Sequence, residues 1–362
     1  MLDNIFQFSR SGRVLSTAPP ATHLQNATSK RPAMSTAPAE SFHVRLTASR
    51  PARHKRAIVF CCDQNYLVFA AHAAAQIASL VEKPEFDICI CYGHQAVVLP
   101  DSLAGLGIRL CHVDVGDVFE GLRLDKGKTH DVYLRIALPT AFAGEYDKIL
   151  YLDSDIFVQG GDFNALFDID VAPHCIASVR DNVQWRTPKR QNKRNTIKGI
   201  PPSAYFNAGV MLMDVQAYTE QELMRRCVEF GRARRRDLKR HDQNLYNAVL
   251  QNDWAEISPV WNWQYSWSTR LFAVFAYPNI IHFIGPAKPW KDESGQFEPR
   301  FADSFDRFIR THFSGSRQVE TGGRRLAPDS MKMTKMLIKH LITARKIAHY
   351  LARFPNELTV HR

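Results

Sequence analysis

Short, fully apolar runs alternate along the chain with longer segments in which apolar residues recur at helical spacing. The short runs predict buried β-strands, whereas the longer segments predict helices with one buried face. Strands that alternate with helices indicate an α/β fold built on a largely parallel sheet. The predicted strands are 57–62, 86–92, 107–115, 148–153, 175–179, 207–215 and 280–285, and the predicted helices are 66–81, 132–142, 216–232 and 242–251.

Polar or small residues stand at the ends of three predicted strands. Asp63 follows the first strand, Asp153 ends the fourth, and Gly285 ends the last. In α/β sheets, ligands bind beyond the carboxyl ends of the strands. These three positions therefore predict a nucleotide site at that edge of the sheet.

The two ends of the chain differ from its middle in composition. Residues 1–55 are rich in Ser, Thr, Ala and Pro and lack periodic apolar positions, which predicts a disordered leader. We expect a catalytic domain over 56–320 and a basic amphipathic tail over 324–362. The sequence has no apolar run long enough for a transmembrane helix, no signal-peptide pattern and no Cys-x-x-Cys pair among its seven cysteines. We therefore expect a cytoplasmic protein with reduced thiols.

The net charge of +11 is concentrated at the two ends. Residues 1–56 and 324–362 each carry nine Lys/Arg and two Asp/Glu, or +7, which leaves −3 for 57–323. A slightly acidic body argues against nucleic-acid binding. Basic ends fit an anionic partner surface, and we expect the inner face of the cytoplasmic membrane.

Residues 331–354 within the predicted tail have helical periodicity. A helix with opposed apolar and basic stripes is suited to lie in a membrane interface. The alternative is a terminal helix packed on its own protein. We expect a membrane tether that stands apart from the catalytic body. The apolar stripe is Met333, Leu337, Leu341, Ala344, Ala348 and Leu351, and the basic stripe is Lys332, Lys335, Lys339, Lys346 and Arg353.

Two carboxylates follow the predicted strand that ends at Asp153. Asp153 and Asp155 are two residues apart and point to the same side of an extended chain. Paired oxygen ligands suit Mg²⁺ or Mn²⁺, with phosphate oxygens completing the coordination shell. A second Asp-x-Asp pair, Asp168 and Asp170, lies in a predicted loop and is interpreted as coincidental.

His282 lies inside an apolar strand and would ordinarily be interpreted as a buried core residue. Gly285 and Lys288 follow it closely, and each favours a ligand. Glycine permits close approach of the backbone, and lysine supplies a point charge for phosphate. An imidazole, a glycine and an ammonium group within seven residues would suit a metal-bound diphosphate.

Several motifs together resemble glycosyltransferase family 8, in their order and in their spacing. They are YLDSDIFV, SAYFNAGVMLMDV, HDQNLYN and HFIGPAKPW, with IVFCCDQNY resembling the family's first strand and nucleotide loop. The resemblance covers about 57–300. It implies a retaining, metal-dependent enzyme similar to bacterial lipopolysaccharide α-galactosyl- and α-glucosyltransferases, with a GT-A type fold made of a single mixed, mainly parallel sheet flanked by helices.

The resemblance also implies roles for particular residues. It implies a UDP-hexose donor, a saccharide or glycolipid acceptor, and Mn²⁺ or Mg²⁺ as the metal. Cys61 and Cys62 stand where the family often has alanine, and Gln64 stands where it often has aspartate. The expected metal ligands are Asp153, Asp155 and His282; the nucleotide-sugar contacts are Cys61, Asp63, Asn65, Ser154, Asp181, Asn207, Gly285 and Lys288; the catalytic group is Arg135, Asp242 and Gln243.

Several alternatives stay open from the sequence. Arg135 could be a charge on a helix surface, and Asp242 could be a helix N-cap. Gln243 is a weak nucleophile, so we favour attack by the acceptor hydroxyl from the face that UDP leaves, with Asp242 as the alternative nucleophile. The alternative functions are a haloacid-dehalogenase-type phosphatase and a non-catalytic protein that binds sugar nucleotides.

Overall fold

Each of the seven apolar runs predicted as strands contains a strand of the structure. The structure, a computed structural model, describes residues 42–125, 129–190, 196–238, 241–293, 295–313, 319–321 and 331–362. Most of the predicted leader and the start of the predicted tail lie outside the described residues. The strands are β1 Arg45–Ala48, β2 Arg56–Cys61, β3 Asp87–Tyr92, β4 Arg109–Asp114, β5 Lys148–Leu152, β6 Ile156–Val158, β7 Ile176–Arg180, β8 Phe206–Asp214, β9 Ala255–Ile257, β10 Trp263–Gln264, β11 Ile280–His282, β12 Lys291–Asp292, β13 Glu320–Thr321 and β14 Val360–His361.

Helices flank the strands as the periodicity predicts, except that the predicted helix over 216–232 is divided into two. The helices are α1 Leu67–Leu80, α2 Leu134–Ala141, α3 Phe163–Asp168, α4 Val215–Glu220, α5 Leu223–Ala233, α6 His241–Leu250, α7 Ala273–Ala276, α8 Pro299–His312 and α9 Met331–Leu351. No helix among the described residues combines the length and the apolar character needed to cross a bilayer.

The main sheet has nine strands in the order β1-β4-β3-β2-β5-β8-β7-β9-β14. Neighbours from β4 to β5 are parallel, as are β7 and β9, whereas β8 runs antiparallel to both β5 and β7. The edge strands β1 and β14 are antiparallel to their neighbours. The expected mixed α/β fold flanked by helices is confirmed, but only half of the neighbouring strand pairs are parallel, because β8 runs in reverse between β5 and β7 and both edge strands are antiparallel.

Apolar side chains cover both faces of this sheet. On β2, Ile58 and Phe60 belong to one buried core, while Ala57 and Val59 belong to the other. Alternate residues of a strand point to opposite faces, so a sheet that is covered on both sides has continuously apolar strands. This double burial explains why the strands could be predicted as unbroken apolar runs.

A second, three-stranded sheet has the order β10-β11-β6, so the expectation of a single sheet is wrong. Its register pairs His282 with Ile156 across β11 and β6, and Gln264 with His282 across β10 and β11. The small sheet therefore holds His282 beside the residue that follows Asp155.

Order begins earlier than the predicted boundary at residue 55. β1 pairs with β4 from Arg45 to Ala48, and Arg50 forms an ion pair with buried Asp87 at 2.8 Å. An edge strand buries only one side, so its alternating polar residues gave no apolar run. Residues 42–55 of the predicted leader therefore belong to the same compact unit as the predicted catalytic domain.

The end of the chain also belongs to the folded body, which contradicts the expectation of a separate tail. β14 extends the main sheet by pairing Val360 with Ile257. Buried Glu256 accepts hydrogen bonds from Tyr350 at 2.9 Å and forms ion pairs with Arg180 at 2.7 Å and Arg353 at 2.9 Å. Although burial raises the pKa of Glu256, these arginines lower it below its usual value.

The helix α9 differs from the predicted arrangement of stripes. It is packed on the body through four buried residues, Met336, His340, Ile347 and Tyr350. The predicted apolar stripe instead includes Leu341, which is 77% exposed. The predictions missed this inward face because His340 and Tyr350 carry polar groups that find partners in the body.

Replacing Glu256 by glutamine should destabilise the fold by about 3 kcal/mol, because Arg180 and Arg353 lose a buried counter-charge. Urea unfolding of Glu256→Gln measures this loss. Glu229→Gln is the matched control, since Glu229 pairs with Arg225 at 3.1 Å but is 53% exposed. Its change should stay below about 1 kcal/mol. Equal unfolding midpoints for the two variants would contradict a structural role for Glu256.

Candidate active site

The segment from Asp153 to Asp155 connects the main sheet to the three-stranded sheet. β5 ends at Leu152, and the backbone N–H of Asp153 still donates to the carbonyl of Gly209 on β8 at 2.8 Å. β6 then begins at Ile156 in the small sheet. Ser154 is buried between two half-buried carboxylates, and its hydroxyl lacks a hydrogen-bond partner among the described residues. This connection fixes both carboxylates at the junction of the sheets.

Asp153, Asp155 and His282 each present a ligand atom within 4.8 Å of the other two. The Nε2 atom of His282 lies 3.6 Å from Oδ2 of Asp153 and 3.3 Å from Oδ1 of Asp155. Two carboxylates and an imidazole form a mixed oxygen and nitrogen ligand set for a divalent cation. In the described ranges, no other three His, Cys, Asp or Glu residues come this close.

Gly209 leaves the space that this group occupies. A Cβ atom at position 209 would lie 2.2 Å from Cε1 of His282 and 2.8 Å from Oδ2 of Asp153. Both distances are below van der Waals contact, so any side chain would displace the imidazole or the carboxylate. The three residues and the glycine together fit a small cation.

A chain of carboxamides sets the tautomer of His282. Nδ2 of Asn262 donates to Oδ1 of Asn207 at 3.0 Å, so Oδ1 of Asn262 faces Nδ1 of His282 at 3.0 Å. Oδ1 of Asn207 also accepts from the N–H of Gly209 at 3.0 Å, which fixes its own orientation. Nδ1 of His282 therefore donates to Asn262, which leaves Nε2 as the ring nitrogen that faces the two carboxylates.

Arg135 connects two carboxylates from different elements. Its guanidinium bonds Oδ1 of Asp153 at 2.9 Å and Oδ2 of Asp242 at 3.0 Å, and it lies over the ring of Tyr151 at 4.5 Å. Burial lowers the pKa of Arg135, but the larger effect of the two carboxylates raises it above its usual value. The guanidinium therefore stays charged. Burial raises the pKa of Asp242, which Arg135 partly offsets. Arg135 is thus not a surface charge.

Lys288 contacts the far side of Asp155. Its Nζ bonds Oδ2 of Asp155 at 2.5 Å and the carbonyl of Phe283. Burial raises the pKa of Asp155, but His282 and Lys288 together lower it well below its usual value. Gly285 has a φ of +88°, a conformation that favours glycine, and it forms the turn that returns Lys288 to Asp155.

The family model for glycosyl transferase family 8 matches residues 57–294. The chain belongs to this family. The match includes every residue of the geometry described above, and it excludes the alternative of a haloacid-dehalogenase-type phosphatase. The protein is therefore a glycosyltransferase, as the resemblance implied.

Three family 8 relatives differ in how much of their length the chain covers. General stress protein A of Bacillus subtilis is 28% identical over 66% of this chain and 88% of its own length. The lipopolysaccharide 1,3-galactosyltransferase of Salmonella typhimurium is 29% identical over 46% of this chain. The lipopolysaccharide glucosyltransferase WaaO of Escherichia coli is 27% identical over 49%. The chain spans about half the length of the last two, 50% and 54%.

A solved structure shares the fold of this family 8 chain. The crystal structure of the galactosyltransferase LgtC, in complex with donor and acceptor sugar analogs, superimposes with a TM-score of 0.56 at 21% identity. The match covers 71% of this chain and 96% of that one. It shows that the mixed sheet and its flanking helices form the same architecture.

The first predicted nucleotide contacts lie where β2 ends. Cys61 lies opposite Cys91 in the parallel register of β2 and β3, and both thiols are free. Asp63 and Asn65 are exposed and bond each other at 3.3 Å. The carboxylate of Asp63 also accepts from the N–H of Tyr66 at the start of α1. This loop therefore lies at the end of β2, which is the parallel neighbour of β5, the strand that ends just before Asp153.

The remaining predicted contacts come from β7, β8 and α6. Asp181 is buried and accepts from the N–H of Val183 at 3.1 Å, which shapes the turn after β7. Nδ2 of Asn207 donates to Oε1 of Gln243 at 3.4 Å. The structure thus links Gln243 through Asn207 and Asn262 to His282, and links Asp242 through Arg135 to Asp153.

Three supporting residues were missed by the sequence analysis. Asn262 orients His282, Gly209 makes room for it, and the hydroxyl of Tyr151 donates to Oδ1 of Asp153 at 2.8 Å. Gly209 and Tyr151 lie inside motifs already singled out, so their positions gave a signal. Asn262 lies in an aromatic stretch 20 residues before His282, and nothing in that stretch marks it.

Asn262→Leu should weaken Mn²⁺ binding by 10- to 100-fold, as is typical when a partner that orients a metal ligand is lost. The leucine leaves Nδ1 of His282 without its acceptor, so the ring is free to rotate. Titration calorimetry with manganese chloride measures the affinity. Asn164→Leu on α3 is the control, because Asn164 bonds the 83–85 segment instead. Equal affinity in both variants would show that Asn262 does not orient a metal ligand.

Proposed function

We propose that this family 8 glycosyltransferase transfers galactose or glucose from a UDP-hexose to a saccharide acceptor, with retention of configuration at the anomeric carbon. The carrying observation is the junction at which Asp153, Asp155 and His282 meet, with Lys288 on the far side of Asp155. The three residues offer ligand atoms for a cation, and Lys288 places an ammonium group beside them. A diphosphate could contact both positive charges at this position. The names of the two lipopolysaccharide relatives support a galactose or glucose donor.

The proposed metal ligands are Asp153, Asp155 and His282, and the proposed metal is Mn²⁺ or Mg²⁺. A divalent ion held there would neutralise negative charge on the diphosphate of the donor. The imidazole favours a transition metal over Mg²⁺, because nitrogen ligands suit Mn²⁺ better. We assign the uridine to the loop that carries Cys61, Asp63 and Asn65, with Ser154, Asp181, Asn207 and Gly285 as further nucleotide-sugar contacts.

Lys288 and Arg135 serve the leaving group in different ways. Lys288 is paired with Asp155, and a diphosphate oxygen would compete with that carboxylate for its ammonium group. Arg135 is fixed between Asp153 and Asp242, so it holds the two carboxylates in position around the sugar. Both cations act where negative charge develops as UDP departs.

Gln243 and Asp242 differ in their freedom to contact a sugar. Oε1 of Gln243 accepts from Asn207, while its Nε2 is buried without a hydrogen-bond partner in the described part of the chain. That amide is available to donate to a sugar hydroxyl. Asp242 is engaged by Arg135, which makes its carboxylate a poor nucleophile. These contacts support attack by the acceptor hydroxyl from the face that UDP leaves.

The acceptor proposed is lipopolysaccharide or another lipid-linked glycan. The names of the two lipopolysaccharide relatives support it, and so do the basic and apolar residues exposed on α9. We propose that the protein works at the inner face of the cytoplasmic membrane and contacts anionic lipid through this helix. The alternative of a non-catalytic sugar-nucleotide binder would bind UDP but release none from a UDP-hexose.

Release of UDP from a UDP-hexose should require a divalent cation and should disappear in EDTA. Asp155→Asn should reduce it at least 100-fold in a variant that still folds, because the side chain keeps its shape but loses the charge that faces His282 and Lys288. Asp168→Asn is the control, since it alters the other Asp-x-Asp pair, where the carboxylate is 64% exposed. A coupled UDP assay measures release. Full activity in EDTA would exclude the metal-dependent mechanism.

Gln243→Ala should slow transfer about tenfold yet leave it measurable, because the lost amide contributes one hydrogen bond. Asp242→Asn should be more severe, since Arg135 loses one of its two carboxylates. Transfer rates with each UDP-hexose and a saccharide acceptor measure both effects. A sugar ester trapped on Asp242 would overturn the same-face mechanism, and near-normal rates in both variants would remove the pair from the site.

A further inference from the structure

Outside the candidate active site, three basic residues interact electrostatically with His340, and a fourth, Arg190, interacts with two of them. Arg186 and Arg190 lie in the segment after β7, Arg270 lies in a short turn after β10, and Lys339 lies on α9. We call these four residues the cation cluster. His340 is buried beside them, and its pKa is lowered by burial and by the positive charges of Arg186, Lys339 and Arg270. Three separate parts of the chain thus bring cations to one place.

Packing contacts hold these three parts together. The rings of Trp185 and Tyr350 stack with their centroids 5.6 Å apart and their planes at 13°, which joins the segment after β7 to α9. The backbone N–H of Leu271 donates to Nε2 of His340 at 3.4 Å, and the ring of Phe272 lies 4.8 Å from the imidazole. The cation cluster is therefore built into the fold.

The charges of the cation cluster are not neutralised by ion pairs within the described part of the chain. Across the described ranges, none of its members forms an ion pair with a carboxylate. The pKa of Arg186 is lowered by burial and by Arg190, and that of Lys339 is lowered by burial, Arg186 and Arg190. Like charges held together raise the free energy of the fold, and a bound anion would relieve that repulsion.

Arg270 is oriented for an anion before any ligand binds. Its guanidinium lies 4.4 Å from the ring centroid of Trp267 and 5.2 Å from that of Tyr265. Its Nε is buried and has no hydrogen-bond partner among the described residues. An arginine stacked on aromatic rings with unused donors is well suited to pair with phosphate oxygens.

Exposed apolar side chains flank the cation cluster on both elements that meet at His340. Val274 and Tyr277, beside Phe272, are 62% and 79% exposed. On α9, Ile342 lies about one helical turn from Lys339 and is 73% exposed. Apolar groups around a set of cations match an amphiphile that carries a phosphate, such as an anionic phospholipid.

We propose that the cation cluster is a phosphate-binding site, separate from the donor site, that takes a phosphate ester. Arg270 and Arg186 pair with the phosphate oxygens, and Lys339 supplies a third positive charge from α9. The apolar flank favours a lipid phosphate over a soluble one. The site does not depend on the proposed transferase reaction, because none of its residues belongs to the metal or sugar contacts.

Two probes separate the possible sources of the phosphate. Glycerol phosphate tests a soluble ester by titration calorimetry. Phosphatidylcholine vesicles that contain phosphatidic acid test a lipid phosphate by co-sedimentation with the full-length protein. Matched vesicles that contain oleic acid, at equal surface charge, test whether negative charge alone is enough. We expect binding to the phosphatidic acid vesicles at least tenfold tighter than to the oleic acid vesicles.

Two variants and one control test the residues. Arg270→Gln should weaken binding to phosphatidic acid vesicles about tenfold, the typical effect of losing one charge-assisted hydrogen bond. Lys339→Glu, on the exposed face of α9, should abolish binding and raise the melting temperature, because a carboxylate relieves the repulsion. Arg56→Gln is the control, since Arg56 also lies over an aromatic ring but is paired with Asp168. It should bind like the unaltered protein.

Each outcome decides the proposal. Tight binding to phosphatidic acid vesicles with loss in Arg270→Gln and Lys339→Glu supports a lipid phosphate. Binding of glycerol phosphate alone, with the same losses, supports a soluble ester at the same site. No binding of either phosphate probe, binding unchanged in both variants, or equal binding to oleic acid vesicles would overturn it. UDP release by the unaltered protein is measured separately, so failure here leaves the proposed transferase untouched.

Discussion

The antiparallel pairing of β5 with β8 places the two halves of the candidate active site against each other. Through this pairing, the N–H of Asp153 donates a hydrogen bond to the carbonyl of Gly209. The same stretch of β8 carries Asn207 and Ala208. The carbonyl of Ala208 accepts from Arg135, and Asn207 reaches Gln243. Without this pairing, the carboxylates after β5 would lie beside neither the glycine that makes room for His282 nor the amides that orient it.

Charge in the interior is compensated at nearly every place where it occurs. Arg135 lies between two carboxylates, Lys288 faces Asp155, and Glu256 is enclosed by arginines. Removing one partner of such a pair leaves a buried charge without compensation, which is strongly unfavourable. The cation cluster is the contrast, because its like charges have no carboxylate among the described residues. In a fold that otherwise pairs its charges, that exception points to a ligand.

The C-terminal segment presents two different faces. Its inward face, with Ile347 and Tyr350 buried, completes the core beside β9, and β14 closes the edge of the main sheet. Its outward face exposes Leu341 and Ile342. A helix anchored this firmly cannot swing free as a tether, so any surface that it binds would meet the catalytic body in one fixed orientation.

The sequence by itself determined seven of the fourteen described strands, because a sheet covered on both faces requires continuous apolar runs and these are visible without any partner. It also determined the family and singled out Asp153, Asp155 and His282, which the structure brings together, since the motifs carry them in order. Only the tertiary structure decided what long-range contacts control: the reversal of β8, the role of Asn262, the pairing of Arg135 with two carboxylates, and the cation cluster. These features depend on contacts between residues that are distant in sequence. A local sequence pattern cannot predict such contacts. The same reason explains the misjudged ends, where an edge strand and a helix with polar contacts gave no apolar stripe to predict.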